Sequence, residues 1–149
     1  MEKLHTPVLL SEALASLSPK PGESYLDLTA GYGGHAKPIL DVTLNYKGSV
    51  LIDRDEFAVN FLKQKFPQDI SIINQDFYSA VLQLIECGKT FDMILADFGV
   101  SSPQLDREDR GFSYKVDGPL DLRLNPQKGV SGADRLKQLT KAEIEGMLI

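Results

Sequence analysis

The chain has 149 residues, 42% hydrophobic and 25% charged, with 12 Gly, 8 Pro and a single Cys, the profile of an ordinary globular domain long enough to bury its own core. One cysteine, Cys87, and two histidines exclude an internal disulfide and a closed zinc site, so no metal is expected. No apolar run approaches ~20 residues, which excludes a membrane span, and the start, MEKLHTPVLL, lacks a basic-then-apolar leader. A cytoplasmic protein is expected. The net charge of −5 gives nucleic-acid binding no support, since phosphate neutralisation favours a basic face, although it does not forbid an RNA substrate.

In chain order, a first helix is expected over 8–17, with Leu9, Leu10, Ala13, Leu14 and Leu17 on one face. Pro19, Pro21 and Gly22 break it. A strand over 24–28 leads into a glycine-rich turn and a helix over 35–44. A second strand over 49–53 precedes a helix over 56–66 that turns Phe57, Phe61 and Leu62 inward and ends at Pro67. The third strand covers 70–74, a helical stretch 78–85 carries Val81, Leu82 and Leu84, and the fourth strand covers 91–96. Alternating strands and helices predict an α/β fold with a parallel sheet, and right-handed crossovers place the first strand centrally.

Over 98–129 no period is visible, and the charges cancel. Phe112, Tyr114, Leu120, Leu122 and Leu124 are too many large apolar groups for a solvated tail, so an ordered functional loop is expected. Thr140 and Glu143 form a capping box that starts a last helix, with Ile144, Met147 and Leu148 as its apolar stripe. The division expected is a cofactor-binding domain over 1–100 and a loop and substrate-side segment over 101–149. An incomplete sheet of about four strands leaves an unpaired apolar edge, which predicts a homodimer or an exchange of segments.

The chemistry concentrates at strand ends. Gly31-Tyr32-Gly33-Gly34-His35-Ala36 sits where glycines let a ligand approach the backbone and a helix N-terminus offers free N–H groups. Asp53 follows about 20 residues later, at a second strand end, where an acid holds ribose hydroxyls. The literal G-x-G-x-x-A match admits a dinucleotide, and hence an NAD-dependent oxidoreductase. The run Asp27-Leu28-Thr29-Ala30-Gly31-Tyr32-Gly33 leans instead toward the acidic, glycine-rich loop of Rossmann-like methyltransferases, with Asp27 either a carboxylate for a donor ammonium or a plain strand-end acid. Asp76 and Phe77 follow the third strand, in place for an adenine amino group and ring face; a core-packed helix start is the other reading of Phe77. Asp97, Phe98 and the Ser101-Ser102-Pro103-Gln104 run leave the fourth strand at its carboxyl end, the edge where open α/β sheets bind ligands.

Together, HTPVLL from His5, GYGGH from Gly31, DRD from Asp53, GVSSPQLD from Gly99, RGFS from Arg110 and GPLDLR from Gly118 closely resemble the MraW family. These are bacterial S-adenosylmethionine-dependent methyltransferases that modify the N4 amine of a decoding-site cytidine in 16S ribosomal RNA. The resemblance implies a Rossmann-like class I methyltransferase fold with a partial, doubly wound parallel sheet, ending as a helical insertion begins. It implies donor contacts from Gly33, Gly34, His35, Asp53, Phe77, Asp97 and Gln104, with S-adenosylmethionine as cofactor and the small ribosomal subunit as partner. Asp97 is the candidate catalytic residue, holding either the target amine or the donor ammonium. A strong base is unnecessary, because N4 loses its proton only after the methyl arrives. His5 is expected to cap or pack before the first helix. The family's full chain is longer, so a cofactor-binding domain without turnover is the alternative.

Overall fold

The computed structural model describes residues 7–99, 105 and 107–147; His5, Thr6 and Gln104 lie outside the described residues. The chain divides into two compact units, 1–99 and 100–149.

In the first unit the elements run α1 (Leu10–Leu17), β1 (Tyr25–Asp27), α2 (Ala36–Thr43), β2 (Val50–Asp53), α3 (Glu56–Lys65), β3 (Ser71–Asn74), α4 (Phe77–Glu86) and β4 (Met93–Leu95). All pairings are parallel and the strand order is β3-β2-β1-β4, so β1 is central as the crossover rule requires. Alternate strand residues face opposite ways, and each face has its own cover. Tyr25, Leu51 and Met93 pack with Leu14 and Leu17 of α1, Ile39 and Leu40 of α2, and Leu62 with neighbouring Phe66 from α3. Leu26, Val50 and Ile52 pack with Ala80 and Leu84 of α4. Helices on both faces make the sheet doubly wound, the Rossmann-like arrangement.

The amino ends of the strands are tied by side chains. Ser24 donates its N–H and hydroxyl to Asp92 Oδ2, each at 2.7 Å, and the Ser49 hydroxyl accepts the Tyr25 N–H at 3.0 Å. The hydrogen bonds from Ser24 hold the Asp92 carboxyl below its ordinary range.

Three local expectations need correction. Leu9 is not in the first helical face: its backbone is left-handed (φ 53) and its side chain exposed, while the preceding Val8 carbonyl accepts from His35 instead of opening the helix. In α3 the buried stripe is Ala58, Val59 and Leu62, the positions one helical period apart, whereas Phe57 sits exposed beside the N-cap. Asp55 makes that cap, its carboxylate accepting the Phe57 N–H. In α4, Leu82 is exposed and Ala80 is the residue pressed on the sheet. Edge strand β4 shows Ile94 more than half exposed at 55%.

The second unit contains a 3₁₀ turn at Glu108–Arg110, α5 (Gly132–Gln138) and α6 (Lys141–Met147). The large apolar groups of its loop do not build a core: Tyr114, Leu120 and Leu122 are exposed. Polar contacts order it instead. Arg110 is buried and donates to the Leu124 carbonyl at 2.8 Å, Arg123 grips Asp121 through two nitrogens, and the Gly132 and Ala133 N–H groups donate to the Asp121 and Leu120 carbonyls. The Thr140–Glu143 capping box forms as expected. Helix α5 was not expected. At its start the Ser131 hydroxyl caps the helix, accepting the Asp134 N–H and donating to the Asp134 carboxylate three residues on. No described helix is long and apolar enough to cross a membrane.

Candidate functional site

The carboxyl ends of the four strands gather most of the residues singled out above. β1 ends at Asp27 and opens into the turn containing Gly31, Gly33, Gly34 and His35; β2 ends at Asp53; Asp76 and Phe77 follow β3; Asp97 follows β4. Gln104 lies outside the described residues.

Asp53 is the hub of the turn. One carboxylate oxygen accepts the Gly31 N–H at 2.7 Å and the other accepts the Asp55 N–H at 2.8 Å. The acid therefore joins the glycine turn to the start of α3. Burial raises its carboxyl above the ordinary range, opposed by those same N–H groups. Its carbonyl accepts from the Asn74 side chain, which ties the ends of β2 and β3 together.

The glycines serve different needs. A Cβ on Gly31 would meet nothing nearer than the Thr29 carbonyl at 3.9 Å, so that position is open on its side-chain side. Gly33, with φ +68, has no such room: a Cβ would lie 2.6 Å from the Phe66 ring and 3.0 Å from Leu62. At Gly34 the crowding atom is Pro7 Cγ, at 2.7 Å. Gly33 and Gly34 are thus required by the protein's own packing, which the ligand-approach argument alone does not capture.

Helix α2 begins directly after the turn. The Gly33 carbonyl accepts the Lys37 N–H, and the N–H groups of Gly34, His35 and Ala36 stand at the start of the helix. Pro38, in the first turn, lacks an N–H that would otherwise need an acceptor. N–H donors at a helix start suit a carboxylate or another electron-rich ligand atom.

His35 lies between the N-terminal segment and the strand-end acids. Its Nε2 is 3.0 Å from the Val8 carbonyl and its Nδ1 is 3.9 Å from Asp97 Oδ2. With Nε2 donating to Val8, the neutral ring leaves Nδ1 as an acceptor, and a protonated ring would turn an N–H toward Asp97. Asp97 is itself held by its backbone, whose N–H donates to the Thr29 hydroxyl at 2.7 Å. Its carboxylate remains half exposed.

Asp27 is nearly without exposure, its oxygens accepting from the Tyr25 hydroxyl at 2.8 Å and the Thr29 N–H at 3.1 Å. It is a buried brace for the turn. Burial pushes its carboxyl up to about 6, against the pull of those hydrogen bonds. A carboxyl with a raised folded-state pKa binds its proton more tightly when folded. Its stabilising effect is complete below about pH 4 and is lost as pH rises through about 6, a change on the order of 2–3 kcal/mol. Asp27→Asn is therefore expected to gain stability relative to the parent chain as pH rises across that interval; urea midpoints of both proteins at several pH values measure the difference. A flat difference profile would contradict this account.

Asp76 caps α4, its carboxylate accepting the Ser79 N–H at 2.9 Å. Phe77, the first residue of α4, is not in the core: the residue is 41% exposed and its ring tilts against Phe98, with centroids 5.6 Å apart. Two aromatic rings thus stand beside the ends of β3 and β4.

Residue-by-residue reading of the sequence missed Lys65. From the end of α3 its ammonium donates to the Tyr32 carbonyl at 2.9 Å and the Gly33 carbonyl at 3.0 Å. Burial and the neighbouring Lys37 charge hold its pKa below the ordinary lysine range. Phe61, one turn earlier, packs edge-on against the Tyr32 ring at 5.3 Å.

In comparison with known proteins, the family model described as the MraW methylase family matches residues 2–149. The chain belongs to that family. Among similar MraW relatives, ribosomal RNA small subunit methyltransferase H 1 of Lachnoclostridium phytofermentans is 40% identical over 98% of this chain and 41% of its own length. The methyltransferase H of Hydrogenovibrio crunogenus is 41% identical over 97% of this chain and 47% of its own. That of Rickettsia akari is 42% identical over 99% and 48%. The chain thus spans less than half the length of these curated MraW relatives.

Proposed function

We propose that this chain is the donor-binding part of an S-adenosylmethionine-dependent methyltransferase acting on 16S ribosomal RNA, at the N4 amine of a decoding-region cytidine. The observation that carries the reading is the glycine turn anchored on Asp53 beside a half-exposed Asp97. A donor with a carboxylate, an ammonium and a ribose finds helix-start N–H groups, an acid at the β4 end and an acid at the β2 end. A dinucleotide would instead set a pyrophosphate among carboxylates, so the oxidoreductase reading is set aside. When bound, S-adenosylmethionine supplies a methyl group on a sulfonium centre that an amine nitrogen can accept.

The chain's own residues have separable tasks in this reading. Gly34 and His35 offer backbone N–H groups to the donor's carboxylate end, and Asp53 accepts from ribose hydroxyls. Phe77, with Phe98 beside it, gives the adenine an aromatic face. Asp97 accepts a hydrogen bond from the donor ammonium or from the target amine; in the second case it orients the nitrogen lone pair without removing a proton beforehand. The family resemblance implies a donor contact from Gln104.

Calorimetric titration of the folded chain with S-adenosylhomocysteine tests the donor site, with NADH as the control ligand. Binding of the first and not of the second supports it; the reverse overturns it. Transfer of labelled methyl to unmodified small ribosomal subunits tests turnover separately, and donor binding without incorporation would favour a binding domain that does not turn over. Pairing of two copies along the β4 edge, where Ile94 is exposed, belongs to the same reading. Sedimentation is expected to give a dimer; a clean monomer at high concentration would contradict it.

A further inference from the structure

We propose that Lys65 is a positioning residue for the donor turn, acting through the Tyr32 and Gly33 peptide groups. In a trans peptide the carbonyl and the following N–H point in opposite directions. The Gly33 carbonyl accepts from Lys65 at 3.0 Å as well as from the Lys37 N–H at 3.2 Å, so it is held from both α3 and α2 and the Gly34 N–H of the same peptide points the opposite way. The neighbouring peptide is fixed at both ends: its Tyr32 carbonyl accepts from Lys65 and its Gly33 N–H donates to the Ala30 carbonyl at 2.8 Å. N–H donors on the Gly34 side are what the proposed donor carboxylate requires.

The surroundings make Lys65 suited to this task. Its ammonium lies 5.7 Å from the Phe61 ring centroid and 5.6 Å from that of Phe66, so two aromatic faces flank the cation. Phe61 in turn holds the Tyr32 ring. Residues 61 and 65 are one helical turn apart, and α3 thereby grips the turn by ring and by charge at once. Glycines at 31, 33 and 34 leave the turn many backbone conformations, and an external clamp selects among them before any ligand arrives.

The inference rests on the donor reading of the turn, and the test separates the two. Lys65→Met, Lys65→Gln and Lys65→Arg are made in the full chain, with thermal melting to establish folding. Amide spectra of the unliganded proteins should show the Gly33, Gly34 and His35 resonances displaced in the Met and Gln variants and near their parent positions in the Arg variant. S-adenosylhomocysteine affinity should fall about tenfold in the Met and Gln variants, the scale of lost hydrogen bonds to a charged group, and recover with Arg. If the parent binds the ligand while the folded variants bind equally well, or their turn amides do not move, the role of Lys65 is overturned. If the parent itself does not bind, the donor reading fails, while the amide displacements still decide whether Lys65 sets the turn.

Discussion

Gly33→Ala is expected to lower the stability of the first unit by about 3 kcal/mol and its thermal midpoint by about 10 °C or more. Two costs add. The residue has φ +68, where an L side chain is strained, and the new methyl would stand 2.6 Å from a Phe66 ring that is itself only 6% exposed. The ring cannot swing away cheaply, because it packs in the core with Leu62, Ile70 and Met93. Gly31→Ala is the internal control. It also has positive φ, +51, but open space around the added methyl, so it should lose only about 1 kcal/mol. Paired thermal melts decide the matter: equal losses at the two positions would show that backbone conformation alone, and not packing against α3, demands the glycine.

Asp53→Ala is expected to weaken S-adenosylhomocysteine binding about 100-fold or more, the scale of losing charge-assisted hydrogen bonds on both sides of one carboxylate. Removing the side chain frees the Gly31 and Asp55 N–H groups it holds and, in the proposed complex, the ribose hydroxyls. Asp53→Asn should fall between, since its amide oxygen still receives one N–H. Burial raises the parent carboxyl, so both neutral variants escape the cost of ionising it, and Asp53→Asn should fold at least as stably as Asp53→Ala because its oxygen keeps one of the two N–H contacts. Calorimetry on both variants measures the order. Parent-like affinity in Asp53→Ala would remove this acid from the donor site.

Much of this architecture could be read from local chemistry. Each apolar strand run is followed by a breaker or an acid, which is why the order of elements and the central place of β1 follow from the pattern. Asp53 announces itself by standing at a strand end at the right distance from the glycines, and Thr140 by its partner Glu143. Other features depend on contacts between distant residues. Lys65 looks like a solvated lysine near a helix end, and only the packing of α3 against the turn reveals its two carbonyl acceptors. Phe57 outranks Ala58 in hydrophobicity, yet the close approach of α3 to the sheet selects the small residue. Arg110 reads as one more charge in a neutral loop, although its guanidinium is buried against the loop's carbonyls. The Ser131 cap was visible by the same kind of rule as Thr140–Glu143, but no apolar stripe followed to draw attention to it.

The most direct test of the account follows backbone amide resonances of the folded chain during titration with S-adenosylhomocysteine. Saturable shifts centred on Gly31, Gly34, His35, Asp53 and Phe77, with the far, amino-terminal strand ends near Ser24 and Ser49 unmoved, are the predicted result. No saturable shift, or shifts confined to residues away from the strand carboxyl ends, would contradict it.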